Sequence, residues 1–211
     1  MSKTLNLGER LELLPMDPHC HDISLGLYRQ GVDGDAQFLV HTYSSVSGSR
    51  ERVAYITKAL EVMLGLEAVP DAPGRLRFPC GSLHPRAIKR SFLDLSKLET
   101  GAPLEPKPLT AFDKKAAGDL TVVNMGNGSY KMTAEEGLDA GPKRVKALAM
   151  GYAKICEMER LGDDRVAFAC ETDHDALLGM LFFRSQNVRA AMQEEESAAS
   201  RGSLSAPSQQ K

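Results

Sequence analysis

Apolar and polar positions change period several times along the chain, and each change marks an element. In "ISLGLYRQ", Ile23, Leu25 and Leu27 alternate with polar or small neighbours, the period-two signature of a half-buried strand. "GVDGD" punctuates it as a turn, and "FLVHTYSSV", rich in β-branched and aromatic residues, reads as a second strand. The period then lengthens. In "SRERVAYITKALEVMLGLE", Val53, Ile56, Leu60 and Met63 fall on one helical face, with Ser49 as the expected N-cap. "GRLRFPC" is a short strand, and "SLHPRAIKRSFLDLSKLE" is a second helix whose apolar face is Ile88, Phe92 and Leu95.

The second half writes the same order again. "DLTVVNM" and "YKMTAEE" are two strands joined through Asn127 and Gly128, the dipeptide that a tight hairpin turn favours. "GPKRVKALAMGYAKICEMERL" is a helix with Pro142 near its start, where a missing N–H costs nothing. Its Val145, Leu148, Tyr152 and Ile155 repeat the spacing of the first helix. "DRVAFAC" is a strand, and "TDHDALLGMLFFRSQNVRAAMQ" is a closing helix whose apolar run demands burial on most sides.

One phrase makes the repetition explicit. "RLRFPCGSLH" at 75–84 and "RVAFACETDH" at 165–174 both read R-x-x-F-x-C-x-x-x-H, and both run from the third strand of a half into its last helix. The expected fold class is therefore α+β: two similar ββαβα units with antiparallel hairpins, an internal duplication. The first unit, with an N-terminal extension, takes residues 1–99. Residues 100–110, with three prolines, form a linker, and 111–196 form the second unit. The Ser/Ala-rich residues 197–211 have no apolar period to repay their ordering, so a mobile, disordered tail is expected.

Composition narrows the partners. Over 211 residues the chain carries 26 basic and 28 acidic side chains, a net charge of -2, so no bulk field calls for nucleic acid or a membrane surface. Basic clusters such as "RAIKR" and "PKRVK" read as solvated helix faces. The start of the chain lacks the apolar stretch of a secretory signal, and "ALLGMLFF" is far shorter than the about 20 apolar residues of a membrane span. The four cysteines are sparse, which points to reduced thiols in a cytoplasmic protein rather than a disulfide framework.

The repeated phrase also carries chemistry. With Ser82 and Thr172 as N-caps, Cys80 and Cys170 stand at strand ends, and His84 and His174 fall in the first helical turns. The positive end of a helix dipole favours thiolate over thiol and neutral over charged imidazole, the forms that bind metal. Each Cys–His pair is half a site, and the halves make a ligand set only if the fold brings them together. Otherwise each cysteine packs as a small hydrophobe.

The densest run of potential ligands lies elsewhere, in "MDPHCHD". Asp17, His19 and His21 follow an apolar stretch in the form D-x-H-x-H, which resembles the first metal motif of amidohydrolase and PHP-type metal hydrolases. The resemblance covers about ten residues and implies a metal that activates water, held by His19 and His21. A third ligand has to come from elsewhere in the chain, and the candidates are His41, His84 and His174. A third candidate is "SSVSGSR", where Ser47, Ser49 and Arg50 join a strand to a helix N-terminus and can hold an anion. No phosphate loop and no nucleophile elbow is present.

Three functions follow as expectations. The first is a small-ligand or metal-binding protein with a pseudo-symmetric core and a divalent metal such as zinc. The second is a metal-dependent hydrolase using the H-x-H motif. The third is a non-enzymatic structural or protein-interaction module, whose pseudo-symmetry favours a homo-oligomer. The partner expected is a small molecule or none, with neither nucleic acid nor membrane.

Overall fold

The computed structural model describes residues 9–14, 23–29, 34–42, 49–107, 109–112 and 119–182. In chain order the elements are β1 (Glu9–Leu14), β2 (Ile23–Arg29), β3 (Ala36–Thr42), α1 (Ser49–Leu64), β4 (Glu67–Ala68), β5 (Arg75–Arg77) and α2 (Pro85–Leu95). They continue with β6 (Thr110–Phe112), β7 (Asp119–Gly126), β8 (Ser129–Ala134), α3 (Gly141–Ile155), β9 (Glu159–Arg160), β10 (Arg165–Ala167) and α4 (Asp175–Phe182). The fold is α+β, and the two halves repeat one element order.

Each half builds a five-stranded antiparallel sheet, in the orders β1-β2-β3-β5-β4 and β6-β7-β8-β10-β9. The registers agree as well: Phe38 pairs with Leu76 in the first sheet, and Tyr130 pairs with Val166 in the second. The unit is therefore richer than ββαβα by one strand before the hairpin and one short strand after the first helix. The added strands have two to six residues. β6 starts inside the stretch expected as linker, and β4 and β9 are too short to show any period. The expected tail, 197–211, lies outside the described residues.

Alternation places the core as expected. Ile23, Leu25, Leu27 and Phe38 of the first sheet are fully buried, and Ile56 and Leu60 of α1, which packs on β3 and on α2, and Ile88, Phe92 and Leu95 of α2 are likewise without exposure. In the second sheet Leu120, Val122, Tyr130 and Met132 take the same role, under Val145, Leu148 and Tyr152 of α3. The hairpin between β7 and β8 turns through Asn127 and Gly128, both at positive φ (52° and 68°), the conformation of the tight hairpin turn. By contacts the chain divides into Met1–Pro108 with His174–Leu181, and Leu109–Asp173 with Phe182–Lys211. The apolar helix α4 thus groups with the first unit, and its Leu177, Leu178 and Leu181 are buried. Among the described residues no helix is long and apolar enough to cross a membrane.

The core of the second unit holds a titratable pair. Tyr152 and Cys156 lie one turn apart at the end of α3, both buried. Burial pushes the Cys156 thiol far above its ordinary value, with Glu157 adding to the shift, and burial raises Tyr152 in the same way. The folded chain therefore keeps the Cys156 proton at a pH where the unfolded chain has lost it. The contribution is fully present below the unfolded thiol pKa of about 8.5 and is lost as pH rises, at about 1.4 kcal/mol per pH unit for one proton. In urea titrations between pH 8 and 9.5, Cys156→Val is expected to flatten the alkaline loss of stability relative to the parent by about one proton's slope. Equal slopes would mean that Cys156 ionises without unfolding the chain.

Candidate metal centre

The two copies of R-x-x-F-x-C-x-x-x-H have the same local path. After β5 and β10 the chain buries Phe78 and Phe168, exposes the next residue, and leaves Cys80 and Cys170 half-buried. A tight turn follows in each. The Gly81 N–H donates to the Phe78 carbonyl at 2.9 Å, and the Glu171 N–H donates to the Phe168 carbonyl at 3.1 Å. Both turns need a left-handed residue at the same place, Gly81 (φ 71°) and Glu171 (φ 53°). In the first copy the turn is also close to Asp35: a Cβ at Gly81 would stand 2.5 Å from Asp35 Oδ1, so that carboxylate would have to move aside.

Three residues later each copy enters its helix at histidine. The His84 carbonyl accepts from the Ile88 N–H, and the His174 carbonyl accepts from the Leu178 N–H, both at 3.0 Å. The histidines therefore stand at the cap position, one residue before the helices, rather than inside the first turn. Ser82 and Thr172, expected as N-caps, lie in the connecting loops instead. Pro85 explains the shift in the first copy. A residue preceding proline is excluded from the right-handed helical region, so the helix starts at Pro85 and His84 is left outside it. His84 sits at φ 43°, ψ 57°, a left-handed conformation that costs a non-glycine residue free energy and that clusters at functional sites.

This path delivers the four side chains to one place. Cys80, His84, Cys170 and His174 each offer one ligand atom, and these atoms all lie within 4.8 Å of one another. Cys80 Sγ is 3.2 Å from His84 Nε2, and the Ser82 N–H donates to Cys80 Sγ at 3.4 Å. The His84 and His174 rings meet edge to face, with centroids 4.6 Å apart. Phe78 stands under both, 5.0 Å from His84 and 5.5 Å from His174, and edge to face with each. His174 is buried, and the other three ligands are half-buried.

The dimensions suit a metal. In a tetrahedral zinc site with Zn–S about 2.3 Å and Zn–N about 2.0–2.1 Å, neighbouring ligand atoms stand about 3.3–3.8 Å apart. The cluster needs side-chain adjustments of about an ångström or less to reach that spacing. A set of two thiolates and two imidazoles is also selective, since soft sulfur with borderline nitrogen in a tetrahedron favours zinc. The chain can hold a metal ion at this Cys2His2 group.

The chain matches no family model, no curated protein and no solved structure.

The remaining candidates stand apart from this group. His41 accepts or donates in a 2.7 Å hydrogen bond with the Tyr28 hydroxyl, and it is not among the clustered ligands. The contact is possible because Gly26 lies between them on the sheet: a Cβ there would stand 2.5 Å from His41 Nε2. His41 and Arg50 both line a shallow groove with Val53, Thr57, Lys58 and Glu61. Ser49 is the first residue of α1. His19, His21 and Ser47 lie outside the described residues. Phe78, which packs against both histidines of the group, is one of the four residues that the two phrases share, and that repetition is the signal for it in the sequence.

Proposed function

We propose that the protein binds one zinc ion through Cys80, His84, Cys170 and His174, and that the ion serves structure rather than catalysis. The observation that carries the reading is the convergence of two C-x-x-x-H segments, 90 residues apart in sequence, onto one S2N2 ligand set. Four protein ligands complete a tetrahedron and leave no position for a reactive water, which is the arrangement of structural zinc sites. The ion would tie the entry of α4 to the entry of α2, each helix contributing the histidine at its cap. A reducing compartment favours cysteines kept as ligands rather than paired as disulfides, which supports a cytoplasmic location.

Metal content of protein purified without an affinity tag tests the reading. One zinc per chain is expected, lost in Cys80→Ser/Cys170→Ser and retained in His19→Ala/His21→Ala. Zinc that disappears with the second pair and not the first would transfer the metal to the H-x-H segment and favour the hydrolase reading. A chain that carries no zinc and takes up none would leave the protein without a metal function.

A further inference from the structure

The same four residues carry a second property, which rests on the zinc reading. The two cysteines of the site belong to separate turns rather than to helices or strands, and their sulfurs lie no more than 4.8 Å apart. A disulfide requires about 2.05 Å, so closing the pair asks for a displacement of less than 3 Å shared between two turns. Both cysteines are half-buried, so a small oxidant can reach them. A third cysteine provides the contrast: Cys156 is buried and its thiol is held protonated by its surroundings, which makes it inert to the same reagent.

We propose that Cys80 and Cys170 form a reversible disulfide when the protein meets hydrogen peroxide, and that the zinc ion is released as the disulfide forms. The steps balance. One thiolate attacks a peroxide oxygen, the O–O bond breaks, and the oxygen transferred leaves a sulfenic acid while the departing hydroxide takes a proton to become water. The second thiolate attacks the sulfenic sulfur, the S–S bond forms, and the second hydroxide leaves and is protonated to water. Two electrons pass from the two thiolates to one peroxide, and two protons are consumed. The ion loses both of its anionic ligands. The two imidazoles that remain are a poor site for zinc, which takes four protein ligands in closed sites. The site thereby becomes a reader of peroxide, with zinc release as its output and thiol reduction as its reset.

The test uses the full-length, zinc-loaded, reduced protein and hydrogen peroxide itself. Zinc content is measured first, so a chain without zinc is recognised as a failure of the zinc reading and not of the redox step. Peroxide is then added in small molar excess, and released zinc is followed with a chromophoric chelator. The expected result is release of one zinc per chain, with loss of the mass of two hydrogens. Peptide mapping without reductant should give a Cys80–Cys170 linked pair. A dithiol reductant should restore both the thiols and zinc binding. Cys156→Ser should behave as the parent. The proposal is overturned if zinc stays bound in peroxide, if the thiols go on to sulfinic acid without a linked peptide, or if the linked pair involves a cysteine other than Cys80 and Cys170.

Discussion

Phe78→Ala is expected to cost about 3–5 kcal/mol of stability and to weaken zinc binding in the same protein. The residue has no exposure and packs edge to face against Phe38 at 5.5 Å, so truncation leaves a cavity in the centre of the first unit. The same ring touches the imidazoles of His84 and His174. Removing it frees both histidines to rotate away from the arrangement that faces the thiolates. Loss of groups that orient metal ligands typically costs about 10–100-fold in affinity. The two effects are separable. Urea titration of chelator-treated protein reads the packing cost, and competition for zinc against a chromophoric chelator reads the affinity. A variant that loses stability but keeps its zinc affinity would show that Phe78 supports the core alone.

Much of the fold was legible because burial acts through period. The alternation of Ile23, Leu25 and Leu27 and the helical spacing of Ile88, Phe92 and Leu95 are direct consequences of which faces must leave water, and all six residues are buried. The Asn127-Gly128 turn was legible for a stereochemical reason, since both residues must take positive φ. β4 and β9, with two residues each, carry no period and are placed only by their partners β5 and β10. Both helix starts fall later than the capping residues Ser82 and Thr172 suggest, and in the first copy a proline decides it. Ser82 has the capping side chain, but Pro85 dictates the backbone, and the helix begins there.

The site was legible in pieces. Cys80 and His84, and Cys170 and His174, stood out as half-sites because a repeated phrase placed them at one turn. Their convergence was not legible, because it depends on the grouping of α4 with the first unit, and no local pattern encodes which helix packs where. Density along the chain drew attention to His19 and His21 instead. Ligands are selected by distance in space, and the four that converge come from two segments with about 85 residues between them. His41 shows the same point from the other side. On a strand, between Val40 and Thr42, it resembles a ligand, but across the sheet the Tyr28 hydroxyl bonds it.

Chelation of the zinc is expected to lower the melting temperature of the parent and to leave that of Cys80→Ser/Cys170→Ser unchanged. An ion bound by the folded chain and not by the unfolded one adds stability that grows with its free concentration. The gain is about 2.7 kcal/mol at a hundredfold excess over the dissociation constant and about 4.1 kcal/mol at a thousandfold excess. For a chain of this size each kcal/mol moves the melting temperature by about 2–4 °C, so a shift of roughly 5–15 °C is expected. The sign follows from the fold. The unfolded chain must bring two distant segments together before it can offer four ligands, whereas the native turns present them with Cys80 Sγ already 3.2 Å from His84 Nε2. His41→Ala serves as the comparison, because His41 is not among the clustered ligands and its loss should leave the chelator-dependent shift intact. If chelator strips zinc from the parent without moving its melting temperature, the ion is carried without stabilising the fold, and a structural role is lost. If the double cysteine variant still responds to zinc, the stabilising ligands lie elsewhere in the chain.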